Sequence, residues 1–132
     1  MMLQVETQYL ESGTWVLRLS GQLTVFEAPH LRQEVMGCLE QRSGNVVLDL
    51  SAVDQIDSVG VGVLISLLKR LTDRYLQLRL VITEVRVRRV LEITRVWNLF
   101  LVRETFPDAL ATLPRADLLN SLDNPPGICE SV

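Results

Sequence analysis

The chain has 132 residues, enough for one domain whose core needs neither disulfides nor a structural metal. Hydrophobic residues make up 48% and the formal net charge is -3, a balance that suits a globular protein and is poor for gripping a phosphate backbone, so nucleic acid is not an expected partner. The longest apolar or glycine run, residues 59–65, falls far short of the roughly 20 residues of a membrane helix.

No membrane span is expected, and the N-terminal "MMLQVETQYLESG" lacks the basic-then-apolar order of a secretory leader. Cys38 and Cys129 lie far apart, and neither belongs to a CxxC or Cys/His pair. A reduced, cytoplasmic setting is the expectation.

"LQVETQYLES" and "TWVLRLSG" alternate apolar and polar residues around Ser12-Gly13, which predicts an opening β-hairpin. After Gly21, Leu31, Val35 and Leu39 recur at four-residue spacing and Ser43-Gly44 supplies a stop, which predicts a helix. "NVVLDL" has the β-branched character of a buried strand, and "VGVGVLISLLKRLTDR" is long enough for a helix despite its glycines. "LQLRLVIT" reads as a strand, "VRVRRVLEIT" as a short helix, "LFLVR" as a strand and "FPDALATL" as a last helix.

The order β-β-α-β-α-β-α-β-α predicts an α/β fold: a mixed, mostly parallel sheet opened by a β-hairpin, with about four helices. The domain is expected over residues 1–113. Residues 114–132 lose periodicity and gain prolines, and are expected to form a C-terminal tail that is mobile or locally docked.

Enzyme chemistry finds little footing. The single histidine, His30, follows Pro29 at the start of the first helix, where an exposed polar residue is the plain reading. No GxSxG elbow accompanies it. "GVG" at 60–62 lacks the GxxxxGK[ST] spacing and the phosphate-binding lysine, and no metal cluster or cofactor motif is present. Trp15 and Trp97 read as packing aromatics, and "VRVRRV" at 85–90 as a solvated helix face or a partner contact.

The informative stretch is "QIDSVGVGVLISLLKRL". Ser58 at the strand-to-helix junction has two readings: a helix cap worth about 1 kcal/mol, or a modified hydroxyl. On a helical wheel Ser58, Gly62, Ser66, Lys69, Arg70 and Asp73 share one outward arc. Val59 falls within that arc and Val63 just beyond its edge, which predicts a small apolar patch beside the hydroxyl.

With "LRLSGQLTVFEAPHLRQEV" upstream and "LRLVITEVRVRRVLEITRVWNLFLV" downstream, this stretch resembles a STAS domain, and more narrowly the stand-alone anti-sigma factor antagonists. The resemblance runs over roughly residues 3–113 and implies a STAS-like fold without enzymatic activity or cofactor. It implies phosphorylation at Ser58, in a motif shared with Asp57, Gly60 and Gly62.

The implied mechanism is partner switching. The unphosphorylated form captures an anti-sigma factor that is also a serine protein kinase, phosphorylation releases it, and a serine phosphatase restores the antagonist. Thr24, Val59, Val63 and Ser66 are the expected partner-binding residues. Val59 stands where the family has a small or hydroxyl residue, and Thr24 where it commonly has an acidic one. A monomer or weak dimer is expected. The alternative is a STAS scaffold or accessory subunit of a transport or stress-sensing complex; a nucleotide-binding or hydrolytic protein ranks below both.

Overall fold

The computed structural model describes residues 3–114. Residues 115–132, nearly all of the expected tail, lie outside the described residues, as does Cys129. Strands β1 (Gln4–Leu10) and β2 (Thr14–Leu23) form the expected hairpin, turning at Gly13 with φ 89°. Helix α1 (Ala28–Gln41), strand β3 (Asn45–Ile56), helix α2 (Ser58–Asp73), strand β4 (Leu78–Val81) and helix α3 (Val85–Ile93) follow. A 3-10 turn (Trp97–Leu99), strand β5 (Leu101–Arg103) and helix α4 (Phe106–Ala111) complete the described chain.

The sheet has the order β1-β2-β3-β4-β5, antiparallel only between β1 and β2. Alternation along the central strands sends side chains to both faces. Val46, Leu48 and Leu50 of β3 join Leu17, Leu19 and Leu80 in a core covered by α1, α2 and α3 through Leu31, Val35, Leu64, Leu67, Leu71, Val87 and Leu91. Val47 and Val81 point the other way, against Ala109 of α4, with Phe106 and Leu113 at the margin. The main core is the larger, and it carries the hydrophobic stabilisation of the domain.

Strand β3 is twice as long as "NVVLDL" implies, because Ala52–Ile56 continue the pairing with β2. The extra length hid behind two register shifts. Asp49 and Ala52 face Arg18 and Ser20, and Val53 and Gln55 face Gly21 and Gln22, so β3 spends one additional residue at each step. Such bulges break the two-residue alternation on which a strand is read.

Trp15 is buried, and its indole N–H donates to Arg42 O at 2.8 Å while its ring meets Tyr9 edge-on at 4.9 Å. This ties the end of α1 to the hairpin.

Candidate functional site

The junction between β3 and α2 is built around Asp57. Its backbone N–H donates to Leu23 O at 3.4 Å, the last tie between the ends of β2 and β3. Its backbone then stays extended (φ -117°) and its Oδ1 accepts from Gly60 N at 2.8 Å. Asp57 is therefore the N-cap, satisfying one of the amides that a helix start leaves unpaired.

This corrects the capping role considered for Ser58. The helix begins one residue earlier than that reading needs, so Ser58 is its first residue. The Ser58 side chain is exposed and makes no hydrogen bond among the described residues.

Gly60 is where the chain passes closest to β2. A Cβ there would meet Leu23 O at 2.1 Å and Ile56 Cγ1 at 2.8 Å, so only glycine allows α2 to start against the strand end. Gly62 faces open space, with nothing within 4 Å of the point where a Cβ would stand.

The second carboxylate oxygen of Asp57 reaches across to another element. Oδ2 accepts from Val25 N at 3.0 Å, tying the β2–α1 corner to the serine junction. Within that corner Glu27 Oε1 accepts from Thr24 N at 2.9 Å and from Thr24 Oγ1 at 2.6 Å, so the carboxylate folds back across the turn ahead of α1. The Thr24 hydroxyl and then its amide hold the Glu27 carboxyl below the ordinary value of 4.5. Two carboxylates thus fix consecutive amides of a four-residue corner.

Held on that corner are two exposed apolar side chains, Val25 at 47% and Phe26 at 85%. Val59, beside the serine, is 44% exposed. Asp57, Ser58, Val59, Gly60 and Thr24 are brought to one end of the sheet by these ties. Gly62 shares the outward face of α2, and Ser66 is half-buried about 12 Å further along the helix axis.

Val63 does not belong to this surface. It is 2% exposed and packs in the main core, so the apolar stripe of α2 reaches further round the helix than the wheel placed it. Thr24 is half-buried, its hydroxyl and amide both committed to Glu27. Sequence reasoning missed Val25 and Phe26. The available signal was "TVFE", whose end residues bond to each other while its middle residues are left facing water.

Elsewhere, His30 is exposed and contacts Glu34 at 3.3 Å. Arg86, Arg88 and Arg89 lie on the exposed side of α3, where Arg86 pairs with Glu84, Arg88 pairs with Glu92, and Arg88 stacks over Trp97 at 4.6 Å. Cys38 is a buried free thiol whose pKa is pushed up by burial, then by Glu34. Among the described residues no cluster of three acidic, histidine or cysteine side chains is placed to hold a metal, and no helix is long and apolar enough to cross a membrane.

A sequential, mostly parallel sheet of this kind, with a capped serine-bearing helix start beside the β2–α1 corner, defines a small α/β architecture. Residues 7–109 match the model of the STAS domain, and the chain belongs to that family. An anti-sigma factor antagonist from Mycobacterium paratuberculosis superposes with a TM-score of 0.71 at 25% identity, over 83% of this chain and 92% of that one.

The anti-sigma factor antagonist SpoIIAA of Bacillus, in its unphosphorylated form, superposes with a TM-score of 0.70 at 18% identity, over 83% and 95% of the two chains. The murine anion transporter Slc26a9 contains a similar fold: TM-score 0.63 at 17% identity, over 83% of this chain and 22% of that one. The last two likenesses are of fold.

Proposed function

We propose that this chain is an anti-sigma factor antagonist that acts by partner switching, with Ser58 as the switched residue. Unphosphorylated, it binds an anti-sigma factor that is also a serine protein kinase; phosphate on Ser58 releases that partner and a serine phosphatase restores binding. The reading puts the chain in the cytoplasm and gives it no catalytic role of its own.

The observation that carries the reading is the state of the Ser58 hydroxyl: exposed, free of hydrogen bonds among the described residues, and relieved of capping by Asp57. A phosphoryl group adds about -1.5 to -2 charge. At the first residue of α2 that charge meets the positive end of the helix dipole, which offsets repulsion from Asp57, so the fold tolerates it. In a partner's apolar or acidic contact the same charge is desolvated or repelled, and binding is lost.

The test is phosphate mapping. The protein is incubated with ATP and a kinase-containing extract of its source cells, and modified residues are located by mass spectrometry. Phosphate on Ser58, absent from Ser58→Ala, is the expected result; a dominant site on Ser43, Ser51 or Ser66 sinks the reading.

A second reading, an accessory STAS unit of a transport complex, is favoured by the fold likeness to part of the murine anion transporter. It requires no phosphate on Ser58, so the same experiment separates the two.

A further inference from the structure

We propose that residues 115–122 fold back over the groove at the starts of β4 and β5, with Asp117 paired to Arg79 and with Leu118, Leu119 and Leu122 seated on the groove's apolar wall. The occupant is this chain's own C-terminal segment, and the proposal stands apart from the partner-switching reading.

The groove lies where α2 ends and β4 begins. Leu68, Tyr75, Leu76, Arg79, Leu99 and Leu101 line an open cleft of about 560 Å³. Its apolar groups remain in reach of water: Tyr75 is 94% exposed and Leu99 55%, while Leu68, Leu76 and Leu101 are half-buried. The cleft also flanks β5, which among the described residues is a three-residue edge strand paired only with β4. An uncovered sheet edge invites pairing with another chain, and a covering segment prevents it.

The end of α2 fixes Tyr75 at this cleft. Leu76 N donates to Leu71 O at 2.8 Å and Tyr75 N to Thr72 O at 3.0 Å, which closes the helix with Tyr75 at φ 61°. Glycine takes that left-handed backbone freely and tyrosine does not, so the turn itself gives no reason for an aromatic ring there.

Arg79 supplies the polar half of the groove. It is half-buried, and it donates to the Gln77 side chain, to Leu78 O at 3.1 Å, to Thr112 Oγ1 at 2.7 Å and to Thr112 O at 3.3 Å, all of them neutral acceptors. Among the described residues no carboxylate forms an ion pair with it. Burial and then the neighbouring Arg103 push its pKa down. A cation withdrawn from water in this way is complemented by an acid.

The chain delivers one at the right place. Thr112, bonded to Arg79, closes α4, and the described residues end at Pro114, beside the groove. Asp117 comes five residues after Thr112, a span of up to about 17 Å, which is ample for its carboxylate to return to the guanidinium. Leu118, Leu119 and Leu122 follow, and one helical turn would gather them within an arc of about 100°. Pro125-Pro126 then bars a longer helix. An acid for Arg79 followed by three leucines for Leu99, Leu101 and Tyr75 is the order the groove requires.

The seated segment leaves the serine surface open. Ser58 begins α2 and Tyr75 follows its end, so 16 helical residues, about 24 Å, separate the two.

The test uses the full chain. In an equal mixture of carbon-13-labelled and unlabelled protein, nuclear Overhauser contacts from the methyls of Leu118, Leu119 or Leu122 to Leu99, Leu101 or the Tyr75 ring are expected within the labelled chain. Contacts only between labelled and unlabelled chains would assign the groove to a second copy and overturn the proposal, as would their absence. Trypsin cleavage after Arg115, read by mass spectrometry, is expected to be at least about tenfold slower in the native chain than in Leu118→Ser/Leu119→Ser/Leu122→Ser, because cutting follows the population of the open form. Equal rates overturn the seating of the leucines. The Arg79 Nε–H resonance is expected to shift in Asp117→Asn, and an unmoved resonance overturns the ion pair.

Discussion

Gly60 and Gly62 are two letters apart in the motif, and alanine at each is expected to act with opposite sign. At Gly60 the added Cβ falls 2.1 Å from Leu23 O and 3.1 Å from Leu23 C, both backbone atoms at the end of β2. Carbon-to-oxygen contacts normally begin near 3.3 Å, so strand and helix must part by about 1.2 Å. That displacement strains the Asp57 N to Leu23 O bond, already 3.4 Å long.

Overpacking against backbone of this kind costs about 3 kcal/mol, a large part of the roughly 5–15 kcal/mol that holds a domain folded. At Gly62 the added methyl meets nothing, and replacing glycine within a helix returns about 0.5–1 kcal/mol. Urea unfolding of the three proteins, followed by circular dichroism, gives both differences provided the slopes agree. A Gly60→Ala protein within about 1 kcal/mol of the native one, or a destabilised Gly62→Ala, would refute the reasoning.

Val63→Asp is expected to unfold the domain or cost at least about 4 kcal/mol, since the carboxylate enters a core site that is 2% exposed; thermal melting decides. Ser58→Asp is expected to change stability by no more than about 0.5 kcal/mol while weakening the kinase complex, and calorimetry beside a melt separates binding from folding. Glu27→Gln is expected to melt below the native protein at neutral pH. Because the folded pKa of Glu27 is depressed below 4.5, its contribution is complete above that value and fades as pH falls through the folded pKa. The difference between the two melting temperatures should therefore shrink in acid.

The element order was legible because most segments keep one period throughout: Leu31, Val35 and Leu39 on α1, and alternating apolar residues on β1 and β2. What escaped was governed by contacts between segments. The second half of β3 is mostly exposed and twice bulged, so its strand character comes from β2 rather than from a regular alternation of its own residues. The motif was visible, but the division of labour within it was not. An Asp-Ser pair offers two possible caps, and the approach of Gly60 to Leu23 decides where the helix begins.

Val63 shows the limit of an ideal wheel, whose edge residues fall inside or outside according to how broadly the neighbouring elements cover the helix. Phe26 carries no mark of exposure in its own identity. Only the carboxylate ties on either side reveal that it is held in the open.

The sheet order also bears on how the chain is made. Each hydrogen-bonded strand pair joins consecutive strands, so no strand waits for a distant partner before it can pair. A sheet assembled in this way keeps loop-closure distances short and can grow as synthesis proceeds. The β2–α1 corner, Asp57 and the whole of α2 lie before β4, so every group that forms the serine surface has been synthesised before that strand begins at Leu78. The later strands and helices then close the core behind a recognition surface whose parts were made first.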